Sequence, residues 1–105
     1  MSDIAITKEG IDARRGHYVA RLDGHAGEGE LTFTRRAGDI VSADHTGVPG
    51  AMSGRGVATA LYRFPIEDAR RSGFRIVPVC PFVRDRIERE SRDPDANVER
   101  LVARA

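Results

Sequence analysis

The sequence predicts an α+β fold on a single mixed β-sheet, an N-terminal antiparallel meander followed by a C-terminal β-α-β unit, with helices packed on the sheet. Three observations predict it. The first half alternates apolar and polar residues between the breaks Gly24-His-Ala-Gly27 and Ala37-Gly-Asp39, as strands joined by hairpin turns do. Residues 57–72 repeat apolar side chains at helical spacing and stop at Gly73, where a C′ glycine ends a helix. Phe74-Arg-Ile-Val-Pro-Val79 then reads as another strand, so the strands flanking that helix are parallel with a right-handed crossover.

Taken in order, Ile4-Ala-Ile6 alternates with polar neighbours and forms a short edge strand. From His17 to Asp23, Tyr18, Ala20 and Leu22 share one face, and His17, Val19 and Arg21 the other. Glu28 to Arg36 is its partner, with Leu31 and Phe33 opposite in sense to Thr32 and Thr34. Ile40 to Thr46 is the strand before the helix, and strict alternation puts Val41, Ala43 and His45 on one face.

The helix presents Val57, Leu61 and Phe64, then Tyr62, Ile66 and Ala69. Between these stripes lies Pro65, which removes one backbone hydrogen bond and crowds the carbonyl of Leu61, predicting a kink. A second helix begins at Pro81, with Cys80 at or next to its N-cap and Phe82, Val83 and Ile87 inward. Asp93-Pro94 to Arg104 repeats the device, with Asp93 as cap and Val98, Leu101 and Val102 as a short apolar stripe.

Bulk properties narrow the function. At 105 residues and 40% apolar content, the chain forms one domain, residues 1–105, with a modest core. It has no apolar run long enough to span a bilayer. Seventeen basic residues stand against sixteen acidic ones, which argues against a nucleic-acid binder. The arginines after residue 83 are interleaved with Asp85, Glu88, Glu90, Asp93 and Asp95, as on a solvated face. The N-terminus lacks the basic and apolar regions of a secretory signal, and the one cysteine, Cys80, leaves no intrachain disulfide to form. A cytoplasmic protein, monomeric or homodimeric, is the expectation. No His/Cys/Asp group has metal-ligand spacing.

The chemistry concentrates between the strand and its helix. Gly50, Gly54 and Gly56 lie within seven residues of one another and immediately before the helix. Glycines let backbone approach a ligand, and a helix start offers free N–H groups and the positive end of its dipole. The expectation is an anion site, for a phosphate in particular.

His45-Thr-Gly-Val-Pro49, Ser53-Gly-Arg-Gly-Val-Ala58 and Val77-Pro-Val-Cys-Pro-Phe-Val83, in that order, resemble the short single-domain branch of the GNAT superfamily of N-acetyltransferases. The superfamily's acetyl-CoA loop runs Gln/Arg-x-x-Gly-x-Gly/Ala, and Gly56 and Ala58 match its later positions. The resemblance implies acetyl-CoA as cofactor and a primary amine as acceptor. It implies that Val48, Ser53, Gly54, Arg55, Gly56, Val57 and Ala58 bind the cofactor, their backbone amides holding the pyrophosphate. The pantetheine arm would pass between parallel strands ending near His45 and Val79, with a backbone N–H at or near Val79 as oxyanion donor. Two positions depart from the pattern. Ser53 stands where the loop usually has arginine or glutamine, and Gly47 where an acidic residue commonly follows His-Thr.

Acetyl transfer to an amine needs a base, a stabilised oxyanion and a proton for the leaving thiolate. His45 is the candidate base, because imidazole exchanges protons near neutral pH; the competing reading is a hydrogen-bonded core histidine. Cys80 is the candidate acid or acyl carrier, because a thiol at a helix N-terminus is the more reactive kind; the competing reading is a small buried hydrophobe. His17 and His25 read as solvent-facing, and no tyrosine follows the second parallel strand where larger relatives place an acid. The sequence supports an acetyl-CoA-dependent N-acetyltransferase, with a catalytically weak CoA-binding module as the alternative.

Overall fold

The computed structural model describes residues 3–103, and in it the sheet grows strand by strand along the chain. Strands β1 (Ile4–Gly10), β2 (Arg15–Leu22), β3 (Glu28–Arg35), β4 (Ile40–Gly47) and β5 (Arg75–Pro78) lie side by side in that order. The first three pairings are antiparallel, and β5 joins β4 in parallel from Ile40↔Arg75 to Ala43↔Pro78. The crossover between them is α1 (Val57–Ser72), and α2 (Pro81–Glu90) follows β5. The fold is α+β on one mixed sheet, as the alternation predicts.

Alternation decides which face of the sheet is covered. Helix α1 crosses β1 to β4, and α2 lies against β4 and β5. Tyr18, Leu31, Phe33 and Ala43 from the sheet are buried in one cluster with Val57, Leu61, Ile66, Val83 and Ile87 from the helices. Each large side chain so buried contributes about 1.5–3 kcal/mol. The helices also hold each other, through Tyr62 donating to Glu90 and Arg86 donating to Thr59. The other face is polar and laddered: Arg21 pairs with Glu9 and Glu28, and His17 lies 3.1 Å from Glu30. An antiparallel sheet with one wet face takes this form.

One charged network ties the edge strand to α1. Lys8, the chain's single lysine, reaches the buried carboxylate of Asp68 at 2.7 Å, and the same oxygen accepts the Tyr18 hydroxyl at 2.7 Å. The Lys8 ammonium lies 5.6–5.7 Å from the ring centres of Tyr18, Phe33 and Phe74. Burial pushes the Asp68 carboxyl up, but the hydrogen bonds from Lys8 and Tyr18 outweigh it and hold Asp68 below its ordinary value.

Two expectations change. β5 is shorter than the predicted strand, ending at Pro78, because Val79 N–H turns back to the Val77 carbonyl at 3.0 Å. The segment after residue 93 is not a helix but turns and one 3₁₀ turn, Glu99–Leu101. The Asp93 carboxylate accepts the N–H of Asp95, an Asx-turn, and Asn97 adopts a left-handed φ of 54° that breaks helical continuation. The chain then returns along β5, where Val102 bridges Ile76 and Ala103 N–H donates to the Ile76 carbonyl at 2.8 Å. Helix α1 continues from Val57 to Ser72 with Pro65 inside it, and Pro65 is buried with Leu61, Tyr62 and Ile66.

Candidate active site

At the end of the sheet where β4 and β5 point, three pieces of backbone converge. The first is a bulge in β4. Thr32 pairs with His45 but its neighbour Phe33 pairs with Ala43, so β4 holds one residue more than β3. Asp44 is the extra residue, its carboxylate accepting hydroxyls from Thr34 at 2.6 Å and Ser42 at 2.7 Å. A bulge shifts every later side chain by one step. His45 therefore leaves the face of Val41 and Ala43, correcting the strict alternation, and lies exposed on the polar face opposite Thr32. Thr46 takes the core-side position opposite Leu31.

The second piece is the gap beyond the last β4–β5 pair. Cys80 N–H donates to the Ala43 carbonyl at 2.8 Å, and the chain then turns into α2. Among the described residues, β4 from Asp44 to Gly47 has β3 on one side and no strand on the other. Such an edge offers unpaired backbone groups to an extended amide-bearing ligand.

The third piece is the start of α1. Gly54 and Gly56 hold φ of 76° and 81°, in the left-handed region, and a Cβ on either would meet nothing within 4 Å. A side chain there would be strained and would stand in the approach to the helix. Gly56 N-caps α1 with no side-chain hydrogen bond, and the first helical bond is Ala60 N–H to Gly56 O. The N–H groups of Val57, Ala58 and Thr59 are thus left for an incoming acceptor. The turn is seated by Met52, fully buried, and by Gly29 in β3, where an added Cβ would lie 3.1 Å from Val57 and 3.2 Å from Leu61.

The predicted site residues divide as follows. Ser53, Gly54, Arg55 and Gly56 are exposed in the turn, Val57 is buried beneath it, and Val48 and Ala58 are half-buried. Cys80 is the N-cap of α2, makes no capping bond, and is buried with its sulfur 3.4 Å from Thr46 Oγ1. His45 and Cys80 lie on opposite sides of β4, so the two candidates are not in contact. The expected oxyanion donor, Val79 N–H, is already engaged by Val77, as is Cys80 N–H by Ala43. Both tyrosines are buried on carboxylates, Tyr18 on Asp68 and Tyr62 on Glu90, and burial first and those bonds second push both phenols above their ordinary value.

Sequence reading missed two residues. Gly29 was a signal in plain view, since glycine inside a strand marks close approach of another backbone. Arg86 gave no such signal; its position beside Thr59 depends on how α2 crosses α1. Among the described residues no group of three His, Cys, Asp or Glu could hold a metal, and no helix is long and apolar enough to cross a membrane.

This arrangement can hold a phosphate at the α1 turn, an extended arm along the β4 edge, and a thiol beside the arm's end. A family model described as GCN5-related N-acetyl-transferase matches residues 17–96, from β2 to beyond α2. No curated protein matches the chain.

Proposed function

The chain belongs to the GCN5-related N-acetyl-transferase family, and from that membership we propose that it is an acetyl-CoA-dependent N-acetyltransferase acting on a primary amine. The observation that carries the proposal is the convergence, at one end of the sheet, of the uncapped α1 N-terminus, the unpaired β4 edge and the Cys80 thiol. Acetyl-CoA, bound there, supplies a thioester carbonyl activated for attack. The N–H groups of residues 57–59 and the Ser53 hydroxyl hold pyrophosphate, and the β4 edge from Asp44 to Gly47 takes the pantetheine amides. His45, open to solvent, accepts the proton of an approaching ammonium. The amine nitrogen would form the C–N bond as the C–S bond breaks, and Cys80, hydrogen-bonded to Thr46, would give its proton to the leaving thiolate and recover one from the new amide nitrogen. Alternatively the Cys80 sulfur would take the acetyl group, its proton leaving on the CoA thiol, and the amine would then take the acetyl group and return a proton to Cys80.

A second reading is a CoA-binding module with weak transfer. The placement of His45 and Cys80 on opposite sides of β4 favours it, as do Ser53 and Gly47 at the two departing positions. It predicts tight CoA binding and no acetylated product from a broad amine panel followed by mass spectrometry.

The deciding experiment is thermal unfolding with and without acetyl-CoA, with ATP and ADP as controls. Ligand at a hundred times its Kd adds about 2.7 kcal/mol, a shift of roughly ten degrees for a domain of this size. A shift specific to acetyl-CoA supports the cofactor site. A shift that ADP reproduces, or none, overturns it.

A further inference from the structure

Arg86 stands apart from the other arginines. Among the described residues it is the only one that is not exposed, and it has no ion-pair partner there. Glu90, one turn on along α2, accepts the Tyr62 hydroxyl at 3.0 Å and forms no ion pair with Arg86. A partly buried guanidinium held outside any ion pair costs desolvation that a bound anion would offset.

The guanidinium is also held in place. Its Nη2 donates to Thr59 Oγ1 at 2.8 Å, and its carbon lies 5.3 Å from the centre of the Phe82 ring. Thr59 is the third residue of α1, on the turn whose N–H groups have no intrahelical acceptor. Side chains on a helix lean toward its N-terminus, so the Thr59 hydroxyl and the guanidinium it fixes stand at the rim of that turn. One Arg86 nitrogen is spent on Thr59, and the other N–H groups of the fork remain for an anion.

We infer that Arg86 is a phosphate-binding residue for acetyl-CoA, supplying from α2 the positive charge that the loop lacks at Ser53. This rests on the acetyl-CoA reading of the α1 turn. It adds that the cofactor site is bipartite, with backbone from the loop and charge from the second helix. Positioned by Thr59 and Phe82, Arg86 meets the ligand with little loss of side-chain freedom, unlike Arg55, which is exposed in the turn.

The test is calorimetric titration of wild type, Arg86→Gln, Arg86→Lys and Thr59→Val with CoA and with pantetheine, which has no pyrophosphate. Unliganded melting curves show that the variants are folded. Loss of one charge-assisted contact should weaken CoA binding about ten- to a hundredfold in Arg86→Gln. Arg86→Lys should recover part of it, and Thr59→Val should show a smaller loss. The salt dependence of CoA binding should flatten in Arg86→Gln, and pantetheine binding should not change. Equal CoA affinity in wild type and Arg86→Gln overturns the inference, as does an equal loss for CoA and pantetheine. Failure of the wild type itself to bind CoA overturns the cofactor reading beneath it.

Discussion

Thr46 and Cys80 meet, hydroxyl to thiol at 3.4 Å, because β4 carries one residue more than β3. Without Asp44 as the extra residue, Thr46 would face the polar side of the sheet, and His45 would occupy the core side next to the thiol. The bulge thus pairs the buried thiol with a neutral hydroxyl and exposes the imidazole to solvent.

If this pair delivers a proton to the departing thiolate, Cys80→Ala should lower kcat by about a hundredfold or more, the usual worth of a positioned acid. Thr46→Val should act through the same thiol, so the double variant should lose little more than Cys80→Ala alone. Steady-state kinetics beside CoA titration checks both, with CoA affinity expected to stay near wild type.

His45 is exposed, so His45→Gln should fold normally while losing its ability to take up a proton. Turnover near neutral pH should fall about a hundredfold and the acetyl-CoA thermal shift should persist. Wild-type rates in both His45→Gln and Cys80→Ala would remove the two assigned roles together.

Gly29 lets the start of α1 sit directly on β3, where an added Cβ would crowd the side-chain ends of Val57 and Leu61 at 3.1 and 3.2 Å. Gly29→Val should cost about 1–3 kcal/mol of stability by overpacking. It should also weaken CoA binding, because the displaced turn is the one that presents the free N–H groups. Gly10→Val, where an added Cβ meets nothing within 4 Å, is the matched control.

Asp68 gives a pH signature. Its carboxyl is held below the ordinary value by Lys8 and Tyr18 against the opposing effect of burial. A depressed acid contributes stability at pH above its unfolded value, and that contribution is lost as pH falls through the folded one. Asp68→Asn should therefore be less stable than wild type at pH 7, by about 1–3 kcal/mol. The difference should shrink as pH drops below about 4. Urea unfolding at several pH values measures it; a gap that widens in acid would contradict the network.

Much of the fold was legible because its signals are local. Two-residue alternation marked β2, β3 and β4; Pro81 and Gly73 marked helix ends by properties of their own backbones. The bulge was not legible: Val41, Ala43 and His45 alternate perfectly, and only pairing against Thr32 and Phe33 reveals the extra residue. The final segment misled for a related reason. An aspartate before a proline begins a helix or an Asx-turn equally well, and the outcome depended on Asn97 adopting a left-handed φ and on the free edge of β5 taking Val102. At the site, the glycine turn could be read from residue types, whereas Arg86 could not, since its partner is 27 positions away on another helix.

The ion pair between Lys8 and Asp68 bears on bookkeeping in any assay of this protein. With one lysine in the chain, and that one 2.7 Å from the Asp68 carboxylate, the molecule offers few side-chain amines of its own to an acyl donor. Self-labelling should accordingly be slow, and acyl groups that do appear on the intact protein would point to the thiol or the amino terminus rather than to a side-chain amine. The same scarcity makes Lys8 the single side-chain amine to which an amine-directed dye can attach.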